Sequence, residues 1–325
     1  MTYPSGWAVM SRLIVRRERW PGGYQTRGVP LVYRGQEVVP DQPVLRIEPR
    51  QRMEQEKRDS AGLHSSPAVY ALSPQSQNMP AGLHGRVVDL TARGGVVIES
   101  CAALVQGTLG SGNQVAGVLT VWSSPHDYHA PAIPPGAILV VPGSLTLALL
   151  HQALNSGVVG VVASSIALRD LEGFLQTDYL QLLRLQKIEP ALDQLPPLTL
   201  LLTEGIGSAT MPTYMLNLFN QYQGSIALLS GIRSLARNLY PELIISVPLS
   251  EVDKDWQATQ PDATLFQGAQ VRVRGGDFNG TLGRIDYFFS YEQAFASGLR
   301  ARAVRLLLDD GAYFIVPVVM IERIK

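Results

Sequence analysis

The stretch Phe266-Gln-Gly-Ala-Gln-Val-Arg-Val-Arg-Gly-Gly-Asp-Phe-Asn-Gly-Thr-Leu-Gly-Arg-Ile285 holds five glycines and three arginines in twenty residues near the end of a 325-residue chain. Val271 and Val273 alternate with Arg272 and Arg274, the period-two pattern of a strand with one apolar and one charged face. Gly275-Gly276 breaks that strand, Phe278 returns to the core, and Gly280 and Gly283 frame a second turn before the next strand begins at Ile285. Glycine is required where the chain turns with positive φ or where two strands cross too closely for a side chain. Downstream, Ala303–Ile324 reads as apolar run, Asp310-Gly311 turn, apolar run and short terminal strand. Four to five short strands in this space predict a small SH3-like barrel over residues 266–325, a form that limits exposed sheet edges.

The pattern at Gly268, Val271, Val273, Gly276, Phe278, Gly280, Gly283 and Ile285 resembles a KOW motif, the strand–loop–strand signature of ribosomal and transcription-elongation proteins. The whole layout is similar to a group of uncharacterised bacterial proteins that end in a KOW domain. The resemblance implies a role in binding RNA or protein through the motif's loops. On that reading Arg272, Arg274, Arg284 and Arg300 are the candidate phosphate or partner contacts, and Arg274 and Arg284 are expected to face solvent. The aromatic loop Asp286–Ala301 adds Tyr287 and Phe289. Its aromatics either stack on bases or, like Phe288 and Phe295, cover the open side of the barrel. The acids Asp286 and Glu292 blunt the local positive field and favour the second role.

Ahead of the barrel, near-continuous Val/Leu runs alternate with helical patterns: Gly136–Gly143, a helix with Ser144 as its N-cap, a second run ending at Ser164 and Ser165, and Pro197–Gly207. This rhythm predicts a parallel-sheet α/β domain over 130–250 with helices on both faces. Ligands of such sheets bind beyond the carboxyl ends of the strands. Ser144, Ser164, Thr203, Glu204 and Gly205 are therefore the candidate ligand-binding residues of an alternative reading, a small-molecule-binding or enzymatic domain. Residues 1–124 read as short strands separated by turns, a β-rich domain with a flexible polar insertion at 51–82. Its phrase Gly35–Ile47 resembles half of a barrel-sandwich hybrid, the fold of biotinyl and lipoyl carriers. The carriers' attachment lysine has no counterpart, since no lysine precedes Lys57 and none lies between Lys57 and Lys187.

Together these predict a multidomain α/β plus β protein. The chain balances 27 basic against 27 acidic residues, which argues against a strong whole-protein nucleic-acid binder. The charge is uneven: residues 1–58 carry net +5, residues 59–264 net −7 and residues 265–325 net +2. No run approaches the apolar length of a membrane span and no signal-peptide pattern opens the chain, so a cytoplasmic location without membrane contact is expected. A single cysteine, Cys101, allows no internal disulfide and reads as a small core residue. There is no phosphate loop, no His-Glu-x-x-His and no catalytic pair. His126, Asp127 and His129 lie close in sequence, but prolines flank them, and metal ligands need a rigid second shell. No catalytic residue, metal or cofactor is expected. The expected function is a non-enzymatic binding or scaffold protein that docks a protein or ribonucleoprotein partner, with RNA as the second candidate.

Overall fold

The computed structural model describes residues 9–22, 26–49, 77–122, 133–185, 194–232, 239–247, 264–274 and 280–324, with positions 187, 191, 252, 257, 258 and 278 between them. It is mostly β, with few helices and one large mixed sheet. In chain order the strands are β1 (Val9–Arg19), β2 (Thr26–Pro30), β3 (Glu37–Val38), β4 (Pro43–Pro49), β5 (Gln77–Pro80), β6 (Gly85–Leu90), β7 (Val96–Gln106), β8 (Leu109–Ser111) and β9 (Gln114–Val121). Then β10 (Ala137–Leu145), helix α1 (Leu147–Asn155), β11 (Gly160–Ile166), α2 (Leu168–Leu175), α3 (Tyr179–Arg184), β12 (Thr199–Ile206), α4 (Thr213–Gln221), β13 (Ile226–Ser230) and β14 (Glu242–Ser246) follow. The last segment holds β15 (Gln270–Val273), β16 (Leu282–Phe288), β17 (Gln293–Ala294), β18 (Arg300–Ala301), β19 (Ala303–Leu307), β20 (Tyr313–Pro317) and β21 (Ile321–Arg323).

Strands β9, β10, β11 and β12 run parallel. Their unbroken apolar runs are buried on both faces, as a covered parallel sheet requires. On one face Leu139, Val161, Ala163, Leu200 and Leu202 pack under α1, α2 and α3. On the other, Ile138, Val140, Val162 and Leu201 pack under Met215, Leu218 and Phe219 of α4. Two expectations change here. The first helix starts at Leu147 rather than at Ser144: Thr146 is its N-cap, its hydroxyl accepting from Leu149 N at 3.3 Å, while Ser144 stays in β10. The sheet is also not parallel throughout, because β13 and β14 run antiparallel to their neighbours.

The expected boundary between 124 and 130 does not separate two sheets. From the segment before it, β9 pairs with β10 and β13, β8 with β12, and β7 with β14. Period-two alternation explains how these strands serve two layers. Ala103 and Val105 of β7, with Leu229 and Ile245, join the core under α4. Ala102 and Leu104, with Leu228 and Ile244, face the opposite side. There a three-stranded sheet, β2-β4-β5, closes a second core with Val44 and Leu45. Strand β5 lies in the stretch expected to be a flexible insertion; it pairs with β4, and residues 51–76 of that stretch lie outside the described residues. Arg19, at the end of β1, is wholly buried. It donates to Pro80 O at 3.1 and 3.2 Å and to Gln114 Oε1 at 3.1 Å, and burial lowers its pKa to about 10.

The chain ends in a five-stranded antiparallel sheet of order β20-β19-β16-β15-β21. Its own core is Val271, Val273, Ile285, Val304, Leu306, Val316 and Ile321. A 3-10 turn at Val318–Met320 swings the chain from β20 across to β21 at the far edge.

Candidate functional site

Three consecutive residues of β15 are buried: Val271, Arg272 and Val273. The valines face the core of the C-terminal sheet, as their alternation predicts. The arginine face does not meet water at Arg272. Arg272 is 1% exposed because that face lies against the end of β12 and the start of α4. The expectation of Arg272 as a phosphate or partner contact is therefore corrected, since its side chain is covered: strand alternation separates two faces, but either face can be covered.

Arg272 sits at the centre of a buried ionic junction. One guanidinium nitrogen pairs with Glu204 in a short contact, and the other lies 3.1 Å from Glu322 Oε1 and donates to the Tyr214 hydroxyl at 3.2 Å. Glu322 is the cross-strand partner of Arg272, so both side chains leave the sheet on one face. Arg274 reaches Glu322 Oε2 at 3.1 Å and donates to Thr108 Oγ1 at 2.9 Å. Thr108 in turn donates to the Thr203 carbonyl at 2.7 Å. Two arginines thus meet two glutamates, and the formal charges balance. Burial pushes the Glu204 carboxyl above its ordinary range although Arg272 pulls it down, with the charge of Glu322 adding to the rise. Burial likewise raises the Tyr214 hydroxyl against the pull of Arg272. For Arg272, burial works against its charge, but Glu322, Tyr214 and Glu204 together hold its pKa above the ordinary arginine value. Glu204 Oε1, Arg272 Nε and the Thr203 hydroxyl are buried without a hydrogen-bond partner.

The other residues expected at the strand ends serve the backbone. Ser144 Oγ lies 2.7 Å from Ser165 Oγ. Ser164 and Ser165 both donate to the Ala209 carbonyl, at 2.6 and 2.9 Å, because the β11–β12 ladder shifts register between Ala163 and Ser165. Met211 N donates to Pro142 O at 2.9 Å, fixing the same loop. Gly205, inside β12, takes φ +90, a conformation suited to glycine. The structure thus brings Thr203 and Glu204 to the junction and uses Ser144 and Ser164 to pin a loop. His126, Asp127 and His129 lie outside the described residues. Among the described residues no group of three potential metal ligands gathers, and no helix is long and apolar enough to cross a membrane. Cys101 has its thiol pKa raised by burial and by Glu99.

Farther along this same outer face of the C-terminal sheet, on β16, β19 and β20, the surface is open. Arg284, Tyr287, Arg305, Tyr313 and Ile315 are all exposed there. The register aligns Tyr287, Arg305 and Ile315 across three strands, and Arg284, Leu307 and Tyr313 beside them. The Arg305 guanidinium lies 5.8 Å from the Tyr287 ring and 5.0 Å from the Tyr313 ring, and its Nε donates to Asp286 at 2.7 Å. Phe289 meets Tyr287 edge-on at 5.2 Å. Of the expected contacts, Arg284, Tyr287 and Phe289 belong to this face. Arg300 is exposed on the small β17–β18 hairpin. Arg274 is half-exposed but tied into the junction. The sequence reading missed Arg305, Tyr313 and Ile315, although the alternation in Ala303–Leu307 and Tyr313–Pro317 carries them. Comparison with protein families, curated proteins and solved structures finds no match to this chain.

Proposed function

We propose that this is a non-enzymatic binding protein whose C-terminal segment is an SH3-like barrel of the KOW type, docked on a mixed α/β sheet and presenting its outer face to a protein partner. The observation that carries the reading is the exposed row Tyr287–Arg305–Ile315 with Tyr313 and Arg284 beside it. Tyrosine and arginine dominate binding hot spots because they offer large, stiff contact area with a polar end. Arg305 is held between two rings before any partner arrives, which lowers the ordering cost of binding.

Protein is favoured over RNA by the count of free cations. Arg272 and Arg274 are committed to Glu204 and Glu322, and Arg305 to Asp286. Phosphate binding draws its strength from neutralising several charges, and few remain on this face. The strand-end reading as a ligand site loses its acid, since Glu204 is occupied by Arg272. The test is a pull-down from lysate with the full chain and with a Tyr287→Ser/Tyr313→Ser variant, each with and without nuclease. A specific partner retained by the parent through nuclease treatment and lost from the variant is the expected result. Both side chains are exposed, so the variant should fold as the parent does. Retention that nuclease abolishes would replace protein by RNA, and equal retention by parent and variant would remove this face from the site.

A further inference from the structure

Among the described strands, most free sheet edges are blunted. The large sheet ends in β3, two residues long, and β8, three residues long. Strand β1 carries Arg12, Arg16, Arg17, Glu18 and Arg19, β2 carries Arg27, β5 is only four residues long, and β21 contains Glu322 and Arg323. Short or charged edges are how proteins avoid unplanned strand pairing. Strand β20, Tyr-Phe-Ile-Val-Pro, is the exception. It has five residues and no charge, and β19 is its one hydrogen-bonded neighbour among the described strands.

The ladder fixes which backbone groups of β20 are free. Leu308 N donates to Ala312 O, and Val318 N donates to Arg302 O, both at 2.9 Å. In an antiparallel pair the bonded positions alternate. Phe314 and Val316 therefore turn their amides and carbonyls toward β19, and Tyr313 and Ile315 turn theirs toward the open edge. Tyr313 and Ile315 are 56% and 45% exposed.

We infer that β20 pairs antiparallel with β20 of a second copy of this chain, about a two-fold axis at Ile315. Two features favour a second copy over another occupant. Ile315 presents one free amide and one free carbonyl, so two copies exchange a reciprocal pair of bonds without any other donor, and Tyr313 N can reach the carbonyl of Pro317. The ends of the strand also differ in charge. Asp309 and Asp310 form the turn before β20, and Arg302 pairs with the residue that follows it. Antiparallel pairing sets the acidic turn of one copy beside the arginine end of the other. The two C-terminal sheets become one, and the Tyr287–Arg305–Ile315 rows lie on a single continuous face. This goes beyond the proposed docking role, which needs only one copy.

The full chain is measured by sedimentation velocity over a wide concentration range. A mass that rises from monomer to dimer is expected, and Ile315→Lys, which sets two cations together at the axis, should shift that rise to at least tenfold higher concentration. In a Cys101→Ser background, Ile315→Cys should form a disulfide dimer under mild oxidation, because directly opposed residues stand about 5.5 Å apart between Cα atoms, within disulfide reach. Tyr313→Cys, opposed by Pro317, should not. A chain that stays monomeric throughout, a dimer indifferent to Ile315→Lys, or cross-linking at 313 but not at 315 would each overturn the inference. The tyrosine variant that tests partner docking leaves the Ile315 pairing in place, so the two ideas fail separately.

Discussion

Arg272→Met should destabilise the folded chain by about 3–5 kcal/mol, because it leaves the buried carboxylates of Glu204 and Glu322 without their shared cation. The triple variant Arg272→Met/Glu204→Leu/Glu322→Met should recover most of that loss. Replacing a whole buried ionic cluster by apolar groups of similar size is often neutral or stabilising, since the desolvation of every charge is then avoided. Arg274, 40% exposed in its side chain, can turn to water when Glu322 is gone. The pH dependence has a definite sign. In the parent, the carboxyl of Glu204 is held above its ordinary value of 4.5. It therefore contributes stability that is full below 4.5 and is lost as pH rises through the folded value. Arg272→Met removes the pull that opposes this rise, so its penalty should be largest near neutral pH and shrink below 4.5, where the Glu204 carboxyl binds a proton. Urea unfolding of the parent, the single and the triple variant at neutral and acid pH checks all three statements. A single variant that unfolds with the parent at neutral pH would show that the junction carries no weight.

The junction also marks how far the sequence could be read. Glycine spacing and Val271/Val273 alternation gave the strands of the last segment, and the strand-end rule drew attention to Thr203 and Glu204. What joins the two, Arg272 meeting Glu204 across 68 positions, leaves no periodic signal, because alternation says that a face is polar and not whether another element covers it. Glu322 and Tyr214 were invisible for the same reason. In the large sheet, the parallel strands were legible because burial on both faces makes their runs continuously apolar. The insertion of β8 and β9 from the preceding segment was not, since pairing between distant strands depends on topology and not on local pattern. The outer face was half legible: the aromatic loop was noticed, while Arg305, Tyr313 and Ile315 gained meaning only when the register aligned them with Tyr287.

The Arg-Gly-Gly turn between β6 and β7 shows a further limit, and it can be tested. Gly94 has φ +81, and Gly35, in the turn before β3, has φ +91, so sequence alone would treat them as equivalent turn glycines. Their surroundings differ. A Cβ on Gly35 meets nothing within 4 Å, whereas one on Gly94 would lie 2.0 Å from the Gly28 carbonyl oxygen. A Cβ on Gly28 would in turn fall 2.4 Å from the Gly94 carbonyl oxygen and 2.9 Å from Leu45. This backbone contact seats the β2-β4-β5 sheet on the β6–β7 turn, over the core that holds Val44 and Leu45. Gly35→Ala should then cost only the strain of a left-handed alanine, about 1–2 kcal/mol. Gly94→Ala adds a clash against backbone that no side-chain rotation relieves, worth about 1–3 kcal/mol more. Hydrogen exchange should show the extra loss in β2 and β4 first, since the substitution pushes that layer away from the large sheet. Equal costs for the two variants, with protection in β2 unchanged, would mean that the two layers are not held together at this contact.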